Sequence, residues 1–553
     1  MWQKIVKNLW SQYAAFGLVV MLPLLMPGYI LTLDLVFAPH ISWPTNLSNT
    51  YLFEAILHVL NLIIPSQIIE KLLLLAALVL SGVGAHKLFF SLVSNLGGRY
   101  LIWGAYFAGL FYMINPFIYD RFMAGQYLVL LGYALTPFFV LQLLKLLKNP
   151  NLQNAIWLAF WSALVVGVSL HHAGMLLIIG VPIALGTLWR YRKQAKHIKD
   201  TINFGVVAVT AFFLINAYWL VPTALGKTDI SQATSSFNAV DSQAFATSDT
   251  GGLGAVGSVL RLQGFWAESR DMFTQPQQVV PAWGLIVILL WILVGFGVVW
   301  FWRTNRPRLV ALGSVALAAV VLAATPLISW LAPLVPFASG YREPQKFVSM
   351  LALVYAVLAG VGVSVVLQKF AAKHSRLTLT IVACLIMLLP VVCTPTMVWG
   401  FNGQLTPKSY PDDWYAANKY LNNEKNVKKV LFLPWHQYID FSFSGRIIAN
   451  PANKFFDKPT VVGDNPEFKN IKPTVPNANN RLIEQNVLAM GSLSTTLGNQ
   501  LDQLGFSHVI LAKEYDYQSY NYLDKQSDLL VVQDTPTLKV YEVVKGEDTD
   551  DAK

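Results

Sequence analysis

The 553-residue chain is 55% hydrophobic and only 13% charged, with a mean hydropathy of +0.48. This composition excludes an ordinary soluble globular protein and indicates a polytopic membrane protein, with the lipid bilayer as a partner. The net charge of +10 does not indicate nucleic-acid binding. Residues 400–553 hold 16 Lys and Arg against 19 Asp and Glu, so the basic excess lies in short loops between apolar segments.

Eleven apolar segments are each long enough to cross a bilayer as a helix by the 20-residue criterion. They cover residues 13–33, 68–90, 100–116, 127–147, 154–170, 173–189, 202–222, 281–302, 309–333, 347–367 and 377–398. The predicted fold class is therefore an α-helical polytopic membrane domain over residues 1–399, with about 11 transmembrane helices. An exported α/β domain over residues 400–553 follows it.

The placement of Lys and Arg fixes the predicted orientation. Basic residues fall in alternate loops, at Lys4 and Lys7, Lys87 and Arg99, Lys145 and Lys148, and in the stretches 190–199, 303–308 and 368–376. Loops that are rich in Lys and Arg stay in the cytoplasm. We therefore predict a multi-pass plasma-membrane protein with a cytoplasmic N-terminus and an extracytoplasmic C-terminal domain.

The orientation is tested with a reporter that is active only outside the cytoplasm. Fused after Lys553 the reporter is expected to be active, and fused after Lys199 it is expected to be silent, because an even number of predicted spans separates Lys199 from the cytoplasmic N-terminus. The measurement is reporter activity normalised to the amount of inserted fusion protein. An inserted but inactive fusion after Lys553 would overturn the span count.

Three segments are predicted on the outer side. The loop 34–67 contains "NTYLFEAILHVLNLIIP", whose apolar residues recur at helical spacing and predict a short interfacial helix. The loop 223–280 is rich in Ser, Thr, Gln, Asp and Gly and is predicted to be a long polar loop. In the exported domain, "PDDWYAANKYLNNE" predicts a helix, "VKKVLFLP" and "GFSHVILAKEYD" predict strands, and "DLLVVQD" with "TLKVYEVV" predicts a hairpin.

Few acidic residues precede residue 400, which makes each informative. There are eleven, of which five lie in the loop 223–280, where a solvated role is the default. Asp34 follows the first apolar run, and two interpretations stand open: a hydrated residue at a helix end, or a general base that takes a proton from a sugar hydroxyl. Glu54, on the predicted interfacial helix, is the next acid.

Two other polar pairs interrupt the outer ends of apolar segments. "NPFIYDRFMAGQ" places Asp120 and Arg121 in a predicted short turn, either as an interfacial ion pair or as contacts to a polar substrate. "SLHHAGM" places His171 and His172 in a tight turn, where they either cap a helix C-terminus or hydrogen-bond a phosphate. Adjacent histidines on a helix do not face one another, which argues against a metal pair.

The stretch "SGYREPQKFVSM" is the best candidate for binding an anion. Pro344 suits the first turn of a helix, and a helix start presents free N–H groups. Arg342 and Lys346, four residues apart, are predicted to share one face and hold a phosphate, with Glu343 between them. The alternative is a structural charge cluster made of Arg342, Glu343 and Lys346.

These features together resemble the GT-C superfamily, integral-membrane glycosyltransferases that use polyprenyl-phosphate sugars. "NPFIYDRFMAGQ", "HHAG" and "YREPQKF" are similar to motifs of bacterial arabinofuranosyltransferase-like membrane proteins. The resemblance implies that the acid of the first outer loop, here Asp34, is catalytic. Many members carry Asp-x-Asp or a paired acid there, whereas Asp34 stands alone, so the need for a divalent metal stays open.

The resemblance therefore implies transfer of a sugar from a polyprenyl-phosphate donor to a glycan, glycolipid or protein acceptor outside the membrane. Asp34 would be the base, and Arg342, Lys346 and His171 would supply positive charge to the leaving phosphate. Two alternatives remain: a transporter or flippase of lipid-linked sugars, and a non-catalytic scaffold that binds cell-envelope glycan. No pair of interrupted spans in matching halves supports the transporter.

Overall fold

A computed structural model describes residues 8–93, 100–228, 244–331, 334, 338–464, 478–489, 491 and 493–544. The chain divides into two compact units. The membrane unit contains the described residues up to Leu25, together with Pro44–Ala55 and Leu72–Thr406. The C-terminal unit contains Met26–Trp43, Ile56–Lys71 and the described residues from Pro407 onward. The predicted domain boundary between residues 399 and 400 stays a prediction. Lys4, Lys7, Arg99, Asp229 and Asp241 lie outside the described residues.

Helices make up nearly all the regular structure before residue 400. In chain order they are α1 (Leu9–Met21), α2 (Tyr51–Asn61), α3 (Ser66–Leu92), α4 (Leu101–Met113), α5 (Pro116–Met123), α6 (Tyr127–Lys148), α7 (Leu152–Val168), α8 (His172–Leu188), α9 (Ala195–Ala224), α10 (Gly254–Leu260), α11 (Pro276–Val279), α12 (Trp283–Thr304), α13 (Arg306–Ala324), α14 (Leu327–Leu331), α15 (Val348–Ala371) and α16 (Arg376–Cys393). The predicted interfacial helix forms as α2, so its secondary structure is confirmed.

Nine of the helical segments in the described part of the chain are long and apolar enough to cross a membrane. They are α3, the α4–α5 pair, α6, α8, α9, α12, α13, α15 and α16 with their flanking turns. The other two predicted spans correspond to shorter apolar helices, Leu9–Leu25 and Leu152–Val168. Each of the eleven predicted segments therefore contains a helix, and the predicted helical membrane fold is confirmed.

Helix α15 forms the centre of the membrane unit, because nearly all of its side chains are buried. It packs against α12 so closely that the backbones almost touch. A Cβ atom on Gly362 would lie 2.0 Å from the Leu293 carbonyl oxygen, and one on Gly297 would lie 2.1 Å from the Leu358 carbonyl oxygen. Lipid supplies no hydrophobic driving force between helices, so close contact at small residues stabilises such pairs instead.

The first predicted span ends earlier than its hydropathy suggests. Helix α1 is followed by a 3₁₀ turn at Leu22–Leu25, and the chain is not helical from Met26 onward. The cause is local: the residue before a proline disfavours the α conformation, and Gly28 after Pro27 adopts a left-handed φ of 111°. The prediction that Asp34 closes a helix is therefore wrong, because Asp34 lies at a bend in a non-helical segment well beyond the helix end.

Asp120 and Arg121 lie on a helix, not in the predicted turn. Asn115 is extended, its side chain accepts a hydrogen bond from the Ile118 backbone N–H at 3.2 Å, and Pro116 occupies the first helical position. This N-cap and proline start the new helix α5 immediately after α4. Both side chains are buried as a result, with 3% and 1% of their surface exposed.

The C-terminal unit is a mixed α/β domain, as predicted. Its strands are β1 (Lys429–Leu433), β2 (Tyr438–Phe441), β3 (Arg446–Ala449), β4 (Thr460–Val461), β5 (Phe506–Ala512), β6 (Leu529–Asp534) and β7 (Leu538–Val543). Its helices are α17 (Asp412–Asn423), α18 (Ala452–Phe455), α19 (Ala478–Ile483) and α20 (Leu497–Gln503). The predicted helix, both predicted strands and the predicted hairpin correspond to α17, β1, β5 and the β6–β7 pair.

The strands form one five-stranded sheet and one separate ribbon. The sheet order is β4-β1-β5-β7-β6, with β1 parallel to β4 and β5, and β7 antiparallel to β5 and β6. Leu431, Val509 and Tyr541 belong to the hydrophobic core beneath this sheet. Strands β2 and β3 pair antiparallel as the ribbon, in which Tyr438 is opposite Ala449.

Candidate functional site

A buried network of charged side chains lies in the membrane unit. The Arg121 Nη1 atom is 3.1 Å from Glu343 Oε2, and the Lys346 Nζ atom is 3.4 Å from the same oxygen. The Gln126 amide donates to Glu343 Oε2 at 3.2 Å, and Lys346 Nζ lies 2.9 Å from His171 Nε2. Helix α5 and the turn that leads into α15 therefore meet at the Glu343 carboxylate, and the turn before α8 is joined to them through Lys346.

Electrostatics keep this carboxylate ionised. Burial alone would raise the pKa of Glu343, but the charges of Lys346, Arg121 and Arg342 outweigh it and lower the pKa to about 2. Burial is the main cause that lowers the pKa of His171 well below its ordinary value, and the positive charge of Lys346 is the second cause. A neutral imidazole that accepts a hydrogen bond from Lys346 at Nε2 carries its own proton on Nδ1.

Arg121 has hydrogen-bonding capacity left over. Its Nη1 atom donates to Gln126 and Glu343, whereas Nε and Nη2 have no hydrogen-bond partner among the described residues. The guanidinium lies 4.4 Å from the Phe265 ring centre. Both amide atoms of the buried Gln345 also lack a partner in the described part of the chain. An unsatisfied buried donor is costly, so these groups are suited to a polar ligand.

Asp120, the residue before Arg121, belongs to a pair of buried carboxyl groups. The carboxyl groups of Asp120 and Glu268 are in contact, and Asp120 Oδ1 has no partner among the described residues. Glu268 accepts hydrogen bonds from the Gly264 backbone N–H at 3.0 Å and from the Thr250 hydroxyl. Two buried carboxyl groups in contact need a shared proton or a cation between them.

Glu268 is therefore not solvated, although it lies in the predicted polar loop 223–280: only 4% of its surface is exposed. The described part of that loop also forms helices α10 and α11. Within the described residues, no group of three or more His, Cys, Asp and Glu side chains is arranged to hold a metal ion.

Arg342 and Lys346 do not form the predicted pair on one helical face. Arg342 precedes the 3₁₀ turn Pro344–Phe347 that leads into α15, and its exposed guanidinium lies 5.0 Å from the Phe245 ring centre. Lys346 is buried and contacts Glu343 and His171 instead. The helix start itself is confirmed, with Pro344 in its first turn.

The two histidines have different surroundings. His172 is the first residue of α8, so the predicted capping of a helix C-terminus is wrong. Its Nδ1 atom lies 2.9 Å from the Ser169 hydroxyl, whereas its Nε2 atom has no partner among the described residues. His171 precedes the helix and contacts Lys346. The Gly174 backbone N–H donates to the Tyr341 hydroxyl at 2.9 Å and ties this turn to the segment before Glu343.

Asp34 belongs to the C-terminal unit and lies half-buried at a bend in a non-helical segment. The first turns of α3 hold the start of this segment. The Gly28 backbone N–H donates to Gln67 Oε1 at 2.7 Å, and the Ile30 backbone N–H donates to Glu70 Oε2 at 2.9 Å. Side chains of a helix start thus satisfy backbone groups of a segment that has no secondary structure of its own.

Residues after 407 also form hydrogen bonds with the segment that contains Asp34. Tyr29 and Lys408 exchange backbone hydrogen bonds of 2.7 and 2.8 Å, and the Leu33 carbonyl accepts from the Ala449 N–H at 2.8 Å. The Tyr438 hydroxyl donates to Asp34 Oδ1 at 3.0 Å, and the Tyr410 hydroxyl donates to the Phe37 carbonyl at 2.8 Å. Residues several hundred positions later in the sequence therefore hold both the Asp34 carboxylate and the backbone around it.

Glu54 belongs to the membrane unit, whereas Asp34 belongs to the other unit. The Thr50 hydroxyl donates to Glu54 Oε1 at 2.7 Å, which stabilises the first turn of α2. A role for Glu54 in substrate binding stays a prediction.

Comparison with known proteins identifies the fold. No family model matches the chain, and no curated protein matches it significantly. The structure of arabinofuranosyltransferase AftD from Mycobacteria matches over 97% of this chain with a TM-score of 0.63 at 15% identity. Two structures of a mutant of that protein match over the same share, with TM-scores of 0.63 and 0.51 at 14% and 15% identity. This chain spans only 40% to 41% of their length. The fold of this chain is therefore similar to the fold of the matching part of that arabinofuranosyltransferase.

Proposed function

We propose that this protein is a membrane glycosyltransferase that moves a sugar from a polyprenyl-phosphate donor to an acceptor outside the cytoplasm. Asp34 is the general base and takes the proton of the acceptor hydroxyl as this oxygen attacks the anomeric carbon. The bond from that carbon to the phosphate oxygen breaks, and polyprenyl phosphate leaves with the electron pair. Direct attack inverts the anomeric centre. The acceptor is a glycan, a glycolipid or a protein.

The observation that carries the proposal is the fixed carboxylate of Asp34 in a chain with a GT-C-like fold. The resemblance expects a catalytic acid in this loop, and a base must be held in one geometry to act on a bound hydroxyl. Asp34 meets this requirement through the Tyr438 contact of 3.0 Å and the backbone hydrogen bonds on either side of it. A hydrated residue at a helix end would need none of these contacts.

Arg121, in place of Arg342, is the proposed main phosphate ligand. Arg121 is buried and keeps Nε and Nη2 without partners among the described residues, and this edge matches the two oxygens of a phosphate. Lys346, joined to Arg121 through Glu343, adds a second positive charge, and the neutral His171 that contacts Lys346 adds a polar group without charge. A phosphate leaving group needs positive charge and no proton donor. Asp120 and His172 remain additional candidates for contacts to the donor, and Arg342 is the alternative phosphate ligand that the binding experiment tests.

The test is a transfer assay with the purified 553-residue chain in lipid nanodiscs. The donors are polyprenyl phosphates carrying different pentoses and hexoses, with arabinofuranose first, because the matching solved protein is an arabinofuranosyltransferase. Transfer from at least one donor, with release of polyprenyl phosphate, is the expected result. Translocation of the donor across a bilayer without transfer would support a flippase, and glycan binding without either would support a scaffold. Either outcome would overturn the proposal.

A further inference from the structure

The β2–β3 ribbon of the exported domain contacts the Asp34 segment at two consecutive residues. Tyr438 begins β2 and is opposite Ala449, the last residue of β3. The Ala449 N–H donates to the Leu33 carbonyl at 2.8 Å, and the Tyr438 hydroxyl donates to Asp34 Oδ1 at 3.0 Å. One cross-strand pair thus fixes the backbone just before Asp34 with one member and the carboxylate itself with the other.

We propose that Tyr438 is a positioning residue for the general base Asp34, so that the exported domain supplies part of the catalytic geometry. The inference rests on the proposed function. A carboxylate turns about its Cα–Cβ and Cβ–Cγ bonds, and a hydrogen bond to one oxygen removes most of this freedom. Orientation matters because the base must meet the proton of the acceptor hydroxyl within about 3 Å. Tyr438 touches no substrate in this scheme and acts only through Asp34.

The competing explanation is that Tyr438 only stabilises the non-helical segment that contains Asp34. The chain offers a matched control for this, because Tyr410 of the same unit also donates its hydroxyl to the segment, at the Phe37 carbonyl and 2.8 Å. Tyr410→Phe removes a comparable bracing hydrogen bond three residues away from Asp34. Tyr438→Phe removes the bond to the carboxylate. A difference between the two variants therefore isolates positioning from bracing.

The experiment compares the two variants in the transfer assay, using the donor of the panel that the parent transfers best. Tyr438→Phe is expected to lower kcat about tenfold, because a single hydrogen bond to a charged group is worth at least that factor. The donor KM is expected to stay within about twofold and the melting temperature within a few degrees, since no donor contact is lost. Tyr410→Phe is expected to keep the parent kcat.

A second measurement asks whether Tyr438 acts through Asp34. In an Asp34→Glu background the carboxylate is displaced by one methylene, so Tyr438→Phe is expected to cost much less than tenfold there. Equal losses in the two tyrosine variants, or a full tenfold loss in the Asp34→Glu background, would overturn the inference. If Asp34→Asn retains full activity, the proposed function itself fails. If Asp34→Asn is inactive while Tyr438→Phe matches the parent, only the positioning role fails.

Discussion

Replacing Asp34 by Asn is expected to abolish sugar transfer while the protein stays folded and inserted. The substitution keeps the shape of the side chain. In the parent, the Tyr438 hydroxyl donates a hydrogen bond of 3.0 Å to Asp34 Oδ1, and the amide oxygen of the variant can still accept this bond. What is lost is basicity, because an amide does not take up the proton of an attacking hydroxyl. A general base contributes about 10²–10⁴-fold in rate, so the variant is expected at or below a hundredth of the parent turnover.

Asp440→Asn is the matched control for this experiment. Asp440 is an exposed residue of β2 in the same unit, so the same chemical change there leaves the Asp34 contacts intact. Its turnover is expected to equal that of the parent. The measurement is single-turnover transfer, which separates the chemical step from product release, together with thermal unfolding of both variants. Asp34 is not the base if Asp34→Asn keeps more than about a tenth of the parent rate.

The membrane fold could be predicted because hydropathy is a local property. A run such as 347–367 needs only its own composition to indicate a buried or spanning helix, and the structure gives Val348–Ala371. The same holds for the alternating and apolar runs that became β1 and β5. Prediction failed where local signals compete: the stretch 26–33 is apolar enough to extend a span, yet Pro27 and Gly28 end the helix.

The candidate site was harder to predict from the sequence, because most of the residues that contact one another there are far apart in the chain. The motifs containing Arg121, His171, Glu343 and Lys346 supplied the charged groups and the histidine of the buried network, whereas Gln126 lay in one of these motifs without being singled out. Tyr438 is 404 residues from Asp34, and no local pattern relates the two. Glu268 was assigned to solvent because its neighbours are polar, although a backbone N–H, a hydroxyl and a second carboxyl surround it.

The spacing of Arg342 and Lys346 led to a wrong prediction, that both side chains lie on one helical face, for a physical reason. Spacing of four residues places two side chains on one helical face only if both belong to the helix. Arg342 lies before the turn that begins at Pro344, so its side chain leaves in another direction and stacks near Phe245. Arg121 is buried and has two nitrogen donors without a partner among the described residues, and this shifts the expected phosphate contact from Arg342 to Arg121.

Arg121→Lys is therefore expected to weaken binding of the polyprenyl-phosphate donor roughly ten- to a hundredfold. The substitution keeps a positive charge that can still pair with Glu343, now 3.1 Å from Nη1, so the network is not left with an uncompensated buried charge. It removes the planar fork, and with it the Nε and Nη2 donors that have no partner among the described residues. A hydrogen bond to a charged group is worth about 1.5–3 kcal/mol, which sets the expected range.

Arg342→Lys is the control, because it makes the identical change at an exposed guanidinium that lies over the Phe245 ring. Its donor affinity is expected to stay within about threefold of the parent, since exposed charges contribute little. Direct binding of the donor in nanodiscs is the right measurement, because slower chemistry would otherwise imitate weaker binding. Thermal unfolding of Arg121→Lys must stay near the parent value for the comparison to hold. A large loss in Arg342→Lys with parent-like binding in Arg121→Lys would return the phosphate site to Arg342 and make the Arg121–Glu343–Lys346 network purely structural.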